Sequence, residues 1–464
     1  MSRSVCVFIC SICSRILCAH NGLSPSARHV TLSSVPEMTD SVPHCSAYSL
    51  PHLFYSTRTK RDIAAMTDQP TASALFTPLT LPSGRVLANR IVKAAMSDSL
   101  GDGTGHPSEA QLRLYERWAE GGVAASLVGE VQPDHHHAEK PGNLVLNAQS
   151  DLAAFTQLAQ RGQQHGADLW LQLGHAGAMA YPPTSTAHGP SALDIPGLRC
   201  EAMSLAAIKA LPGAMAMTAR LAREAGFGGV QVHAAHGFLL SQFLSPLFNQ
   251  RTDDYGGSLE NRMRLMREVI IAVREAVGHD YPVLVKLNSS DQLQGGFEEA
   301  EALQVIAALD ELPIDLIDIS GGTYFPGASS ASDASASGPY FVEFAKRARE
   351  VTTLPLMATG GFKTLAQAED AVAQGAVDLV GLARPLALHP SLPTLWQAGE
   401  CPTPEFPRFS APPEGGVTAW YTLRLTQLGE DREHESLGEL ETVLADYEAR
   451  DAARAETWNA HFSS

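Results

Sequence analysis

Cysteine, the residue that staples small secreted domains, is scarce in most of this 464-residue chain. Beyond residue 45 only Cys200 and Cys401 remain, and two widely spaced cysteines do not make a disulfide scaffold. They fit a reducing compartment, so we expect a cytoplasmic protein. The other cysteines are Cys6, Cys10, Cys13, Cys18 and Cys45. Because these lack the paired spacing of a zinc site, no metal is expected.

Long apolar runs and an excess of positive charge are also lacking. No apolar stretch approaches the ~20 residues needed to span a bilayer. Basic residues number 33 against 50 acidic ones, so the formal net charge is -17. An acidic surface of that size repels nucleic-acid phosphate and anionic lipid. We therefore expect neither nucleic acid nor a membrane as a partner.

Acidic residues are missing from the start of the chain, where none precedes Glu37. Arginines are scattered through the same stretch, at Arg3, Arg15 and Arg28. This composition resembles a mitochondrial presequence, whereas the apolar run from Val5 to Cys10 resembles a short secretory segment. An upstream start codon, with Met66 beginning the working protein, is the third interpretation. In each case residues 1–70 are predicted to be an N-terminal extension, either disordered or a targeting segment.

From Leu75 onward, short apolar runs alternate with amphipathic helical patterns. Continuous apolar runs are typical of parallel strands buried on both faces. Among the helical patterns, Ser258–Val277 and Thr364–Gln374 begin with suitable N-caps. The predicted strands are Arg90–Met96, Val123–Val131, Ala167–Leu173, Gly228–His233, Pro282–Asn288, Ile314–Ser320, Leu354–Thr359 and Val377–Ala383. Eight such units predict an α/β fold, a (β/α)8 TIM barrel over residues 71–400.

A doubly wound sheet, the alternative, needs a glycine-rich fingerprint after its first strand, and none follows Met96. After Cys401 the composition changes to a proline-rich loop. Two helical patterns follow, Val417–Leu428 and Leu437–Thr457. Residues 401–464 are therefore predicted to form a C-terminal helical appendage on the barrel, suited to a homo-oligomer contact.

A barrel carries its active site at the carboxyl ends of its strands. The fourth predicted strand ends in His233 and His236, and Gly237 permits the tight turn that brings both into one mouth. Two imidazoles that donate hydrogen bonds to one oxygen polarise a carbonyl. Loop capping and a metal pair are the alternatives, but no third metal ligand is obvious from the spacing.

Lys286 lies within the aliphatic run of the fifth predicted strand, where a cation needs a negative partner. A reduced flavin, charged at its pyrimidine end, would supply one. Two such charges about 4 Å apart attract by roughly 4 kcal/mol at an effective dielectric near 20. The alternative is an internal salt bridge to Asp318. Gln172, at the end of the third strand, offers the donor and acceptor that suit a uracil-like edge.

Glycines and an arginine follow the last two strands. Gly360 and Gly361 let a backbone approach a ligand closely, and Arg384, after Ala383, adds charge-assisted hydrogen bonds. This combination is the usual phosphate site of such barrels. The run His135–His137 lies in a polar stretch, and we predict a solvated loop there rather than a metal cluster.

Four segments together resemble the old yellow enzyme family of FMN-dependent NAD(P)H oxidoreductases, from about Leu75 to Glu400. The longest, residues 233–262, reads HAAHGFLLSQFLSPLFNQRTDDYGGSLENR. The others are NRIVKAAM at 89–96, QLGHAG at 172–177 and ISGGTY at 319–324. They occur in the family's order. The resemblance implies FMN as cofactor, NADH or NADPH as hydride donor and a small-molecule substrate.

The resemblance also implies roles for individual residues. Contacts to the flavin after the first strand are implied for Ala94, Ala95, Met96 and Ser97, with Ser97 beside the reactive edge. Contacts to the pyrimidine end are implied for Gln172 and Lys286. The phosphate would be held by Gly360, Gly361, Ala383 and Arg384. The substrate oxygen would be held by His233 and His236.

One departure concerns the proton donor. The family's usual donor is a tyrosine two residues after the second His or Asn, and that position is Phe238 here. Tyr324, from another side of the mouth, or water would have to supply the proton. The main hypothesis is an ene-reductase acting on an α,β-unsaturated carbonyl. The alternatives are an NAD(P)H:quinone reductase or NADH oxidase, which Phe238 favours somewhat, and a non-catalytic FMN-binding barrel. The iron–sulfur extension of some relatives is absent from this sequence.

Overall fold

Eight parallel strands form a closed barrel in the computed structural model, which describes residues 73–325, 338–410 and 412–463. The first strand pairs with both the second and the eighth, which closes the barrel. The strands are β1 Ile91–Lys93, β2 Ala125–Gln132, β3 Asp168–Leu173, β4 Gly229–Ala234, β5 Val283–Asn288, β6 Leu316–Ser320, β7 Leu356–Thr359 and β8 Leu379–Leu382. The predicted (β/α)8 barrel is confirmed, whereas the whole of the predicted extension 1–70 lies outside the described residues.

Helices cover the outside of the barrel. The predicted N-caps are confirmed: the Ser258 side chain accepts from Asn261 N, and Thr364 forms a capping box with Gln367. The helices are α1 Glu109–Glu120, α2 Leu152–Gly162, α3 Leu205–Glu224, α4 Leu239–Leu244, α5 Leu259–Val277, α6 Glu299–Leu309, α7 Val342–Ala348, α8 Leu365–Ala373, α9 Arg384–Leu388, α10 Leu392–Gln397, α11 Gly416–Gly429 and α12 Leu440–Phe462. None of these described helices is both long enough and apolar enough to cross a membrane.

The barrel interior is filled by apolar side chains from nearly every strand. Trp170, Leu284 and Met357 belong to this cluster, and a hairpin of Leu79–Thr80 with Val86–Leu87 adds Leu87. The hairpin closes the amino-terminal end of the barrel, where Arg85 pairs with Asp168 at the start of β3. Truncating a buried Leu to Ala in such a core costs roughly 2–5 kcal/mol. The interior is therefore a packed core, and the opposite end is left for function.

Two small features depart from the regular barrel. The pairing of β2 with β3 shifts register between Val128 and Val131, and Glu130 takes a φ of 68° there. A three-stranded sheet of His188–Gly189, Leu193–Ile195 and Leu198–Ala202 precedes α3. The sequence pattern did not predict this sheet, because its strands are too short for periodicity to show.

The predicted C-terminal helices are both present, each slightly longer than expected. Helix α12 runs across the loops that follow β1, β2 and β3. The Arg454 guanidinium donates to the Ser99 carbonyl, and Asn459 Nδ2 donates to the Pro183 carbonyl at 3.0 Å. The buried Trp458 packs on Ala138. The appendage therefore lies at the carboxyl end of the barrel, the end that carries the predicted site.

Candidate active site

The two predicted histidines meet at the mouth of the barrel. His236 has a φ of 62° and its backbone N–H donates to Asn288 Oδ1 at 3.0 Å, which turns its ring back toward β4. His233 Nε2 lies 3.1 Å from His236 Nδ1, and His236 Nε2 lies 2.8 Å from Ser320 Oγ. Sequence reasoning did not identify Ser320, which closes β6. The three side chains form one hydrogen-bonded row.

Both histidines are neutral at ordinary pH. Burial, together with the positive charge of Lys286, lowers the pKa of His233 to about 3. The pKa of His236 lies well below its usual value for the same reasons, with His233 adding to the effect. A neutral imidazole has one N–H donor and one acceptor nitrogen. One of the two imidazoles therefore donates to the other, and the two rings and the Ser320 hydroxyl satisfy one another's hydrogen bonds.

Lys286 takes the partner that the sequence offered as the alternative. Its Nζ lies 2.6 Å from Asp318 Oδ2, and both side chains are buried. Asp318 also accepts from Thr359 Oγ1 at 2.8 Å and from Gln231 Nε2 at 3.1 Å. Gln231 Oε1 in turn accepts from Gln172 Nε2 at 2.7 Å. Gln172 and Lys286 thus lie at the ends of one network, and their contact with the pyrimidine end of a flavin stays a prediction.

A second buried lysine, Lys93, was missed. Its Nζ donates to the Ala94 carbonyl at 2.7 Å and lies 4.2 Å from the centre of the Trp118 ring. Burial lowers its pKa to about 7; the charge of Asp98 opposes this, and that of Lys286 adds to it. Lys93 stands in an aliphatic run like Lys286, so the same argument could have found it. It lies directly before the predicted flavin loop.

The loop Ala94–Ser97 lies against β2 and β8. The Ala94 N–H donates to the Leu382 carbonyl at 3.0 Å. A Cβ at Gly129 would lie 2.2 Å from the Met96 carbonyl oxygen, so only glycine permits the observed approach of β2. Ala95, Met96 and Ser97 are half-buried, which leaves one side of the loop open to a ligand in the mouth.

The predicted phosphate residues lie side by side, because Thr359 of β7 pairs with Gly381 of β8. Gly360 and Gly361 have φ values of 137° and 80°, which other residues rarely adopt. Arg384 forms no ion pair with any carboxylate of the described residues and lies over the Tyr421 ring at 5.3 Å. A glycine turn beside a half-buried arginine that pairs with no carboxylate of the described residues fits a phosphate.

Phe238 and Tyr324 complete the mouth. Phe238 is 3% exposed, with its ring centre 5.1 Å from that of His233 and 6.0 Å from that of Tyr324. Tyr324 is 61% exposed, yet burial raises the pKa of its phenol to about 12, with Glu139 and Glu130 contributing. The Tyr324 ring therefore stands in the mouth, surrounded by protein but reached by solvent.

The predicted solvated loop His135–His137 is a short 3-10 helix, and only His136 is fully exposed. His137 stacks on His175, and His135 stacks on Phe462 of α12 with ring centres 4.2 Å apart. Ligand atoms of Asp134, His135 and His136 lie within 4.8 Å of one another. The Asp134 carboxylate caps this helix by accepting from His136 N at 2.8 Å, which accounts for the grouping.

Comparison with known proteins identifies the family of this chain. A model of the NADH:flavin oxidoreductase / NADH oxidase family matches residues 74–400. The NADH-dependent flavin oxidoreductase iliE of Hypocrea jecorina is 34% identical over 352 residues, which cover 68% of this chain and 87% of that protein. The NADPH dehydrogenase of Bacillus subtilis is 31% identical over 324 residues, covering 69% of this chain and 93% of that protein.

Solved structures show the same barrel. A 2-naphthoyl-CoA reductase complex superposes with a TM-score of 0.68 at 26% identity, covering 71% of this chain and 53% of that chain. The chain thus spans about half the length of that relative. The old yellow enzyme homologue of Zymomonas mobilis superposes with a TM-score of 0.64 at 23% identity, covering 75% and 98% of the two chains.

Proposed function

Since the chain belongs to the NADH:flavin oxidoreductase / NADH oxidase family, we propose that it reduces α,β-unsaturated carbonyl compounds. Its use of FMN and of NADH or NADPH follows from the family. FMN, when bound, accepts hydride from the nicotinamide nucleotide and passes it to the acceptor. The observation that supports the choice of acceptor is the neutral His233–His236 pair at the barrel mouth.

Which residues would hold FMN is inferred from the network and the loops. The glycine turn at Gly360 and Gly361, with Arg384, would hold the phosphate. The loop that ends at Ser97 would lie along the ring system. Lys286, held in place by Asp318, would face the pyrimidine end together with Gln172. These assignments are proposals that rest on the contacts described above.

The histidine pair acts on the acceptor oxygen. The oxygen of an enone would take the place of one hydrogen bond in the row formed by His233, His236 and Ser320. A donor aimed at an oxygen that gains negative charge stabilises the transition state, and removing one such donor typically costs about 10²–10³ in kcat. Because both rings are neutral, binding of the carbonyl requires no prior loss of a proton.

The proton for the α-carbon has no donor in the family's usual position. Phe238 is buried against the His233 ring and has no acidic hydrogen. Tyr324 lies 5.9 Å from His236, measured between ring centres, and solvent reaches it. We propose Tyr324 or water as the donor.

A second candidate function is quinone reduction or NADH oxidation. Phe238 favours it, since neither quinones nor oxygen need a proton delivered to carbon. The same oxygen-binding histidines would serve a quinone.

The two functions separate in one experiment. The purified protein is reduced anaerobically with NADH or NADPH in a stopped-flow instrument and then mixed with a cyclic enone and a quinone in parallel. Fast flavin reoxidation by the enone supports the proposal. Fast reoxidation by the quinone, with none by the enone beyond its rate with buffer, would refute it in favour of the second function.

A further inference from the structure

Helix α12 turns one stripe of side chains inward, where Val443 and Tyr447 pack with Ala419 of α11 and Trp458 packs with Ala138 of the loop after β2. The stripe recurs every three or four residues and is apolar at Val443, Tyr447, Ala455 and Trp458. Its middle position is Asp451, a carboxylate that is 2% exposed. A carboxylate buried in an apolar stripe is costly unless it is paired.

The partner of Asp451 is Lys140, in the loop after β2. Lys140 Nζ lies 3.8 Å from Asp451 Oδ2, and it lies 5.0 Å and 5.5 Å from the ring centres of Tyr181 and Tyr447. Arg450 approaches the other carboxylate oxygen at 3.5 Å. Neither Asp451 oxygen makes a hydrogen bond within 3.5 Å among the described residues. Asp451 is therefore buried, whereas the Lys140 side chain is 28% exposed, and the pair between them is loosely held.

This pair connects α12 to the active-site mouth through two neighbouring loops. On one side, Tyr181 directly follows Ala180, which packs on Phe238. On the other side, Lys140 directly follows Glu139. The two loops are joined directly, since the Tyr181 N–H donates to the Ala138 carbonyl at 3.0 Å.

A third connection lies beside the predicted flavin loop. The Arg454 guanidinium donates to the Ser99 carbonyl, two residues after Ser97. A Cβ at Gly103 would lie 3.2 Å from Thr457 Cβ, so the loop after β1 and the helix are in close contact. Helix α12 thus contacts the loops after β1, β2 and β3 on the same side of the mouth.

We propose that α12 is the outer wall of the acceptor site and that the Lys140–Asp451 pair holds it closed, so that it limits the size of the acceptor. This proposal rests on the proposed function and names a specificity element for that site. Replacing one partner of a buried pair leaves an uncompensated charge, whereas replacing both by apolar residues is often neutral. A single replacement should therefore loosen the contact, and the double replacement should restore it.

The test compares acceptors of two sizes, 2-cyclohexenone and a four-ring steroid enone. The quantity measured is kcat/KM for the large acceptor divided by kcat/KM for the small one. We expect Asp451→Asn and Lys140→Met each to raise this ratio about five- to tenfold, which corresponds to about 1 kcal/mol. The double replacement Lys140→Met with Asp451→Leu should return the ratio toward wild type. The matched control is Asp446→Asn, the same change at an exposed position of α12. FMN content and the rate of flavin reduction by NADH report the integrity of each variant.

A ratio that stays within twofold of wild type in both single variants overturns the proposal, as does an equal change in Asp446→Asn. Binding of phenol and of a steroidal phenol, read from a long-wavelength absorbance band, repeats the comparison without turnover. If the binding ratio moves as expected while no enone is reduced, the wall is supported and the proposed function fails. If enones are reduced and neither ratio moves, the wall fails and the proposed function is supported.

Discussion

Replacing Phe238 by tyrosine should raise the rate of enone reduction, because it puts a phenol where the family usually has one. The ring of Phe238 packs at 5.1 Å from the His233 ring and 6.0 Å from the Tyr324 ring, so a hydroxyl added there would enter the mouth. A positioned acid contributes about 10²–10⁴-fold to such a proton transfer. Because water already delivers protons in the wild-type protein, only part of that factor should be gained. We expect the rate of the oxidative half-reaction to rise roughly tenfold or more.

The same hydroxyl carries a stability cost. Phe238 is almost fully buried, and a buried hydroxyl without a partner costs about 1–3 kcal/mol. A hydrogen bond to His233 or Tyr324 would offset that cost. Urea unfolding of Phe238→Tyr therefore tells whether the new hydroxyl has found a partner. Phe248→Tyr, at another buried ring whose contact is with Phe325, is the matched control.

The two half-reactions are measured separately under anaerobic conditions. Flavin reduction by NADH or NADPH should be nearly unchanged in Phe238→Tyr, since it needs no proton on a substrate carbon. Reoxidation by the enone should be faster, and reoxidation by a quinone should gain little or nothing. If the enone rate is unchanged in Phe238→Tyr and lost in Tyr324→Phe, the proton comes from Tyr324. If neither change matters, proton transfer is not rate-limiting and the reasoning from Phe238 is refuted.

Three further predictions concern the buried groups of the site. Replacing His233 and His236 together by alanine should abolish the long-wavelength band that phenolic ligands give with the flavin; a band of undiminished intensity would exclude the pair as the oxygen-binding site. Lys286→Met should weaken FMN binding about tenfold, or roughly 1.4 kcal/mol, as measured by fluorescence titration. Because this change leaves the Asp318 carboxylate without its partner, the measurement is repeated with Asp318→Asn added. Unchanged FMN affinity and redox potential in these variants would place Lys286 outside the site. The free energy of unfolding should fall as the pH drops below about 6.5, the pKa of histidine in the unfolded chain. The pKa of His233 in the folded protein is about 3, so between these values only the unfolded state takes up the proton. His233 alone then contributes up to about 1.4 kcal/mol per pH unit. In His233→Asn, the free energy of unfolding measured with urea should depend less on pH between pH 7 and 5. An unchanged pH dependence would contradict a buried neutral His233.

Local patterns in the sequence were sufficient to predict the barrel and the residues at which its helices begin. Strands buried on both faces need continuous apolar runs, and each of the eight predicted runs contains an observed strand core. Ser258 and Thr364 cap their helices through contacts within three residues, which a local pattern can reveal. The rule that barrel sites lie at the carboxyl ends of strands then directed attention to His233, Lys286 and Arg384.

Contacts between distant segments could only be decided by the closed barrel. From the sequence, either a reduced flavin or Asp318 could be the partner of Lys286. Asp318 is its neighbour only because β5 pairs with β6 in the observed register. Ser320 joins the histidine row for the same reason, across 84 residues of chain.

The position of α12 depends most strongly on contacts between distant segments. The sequence by itself determined that helices follow residue 401, because their periodicity is local. It could not show that Asp451 would lie beside Lys140, more than 300 residues away, since a buried carboxylate and a surface carboxylate look alike in a sequence. Tertiary structure decided this, because burial and charge pairing depend on which surfaces meet when the barrel closes and the appendage packs on its mouth.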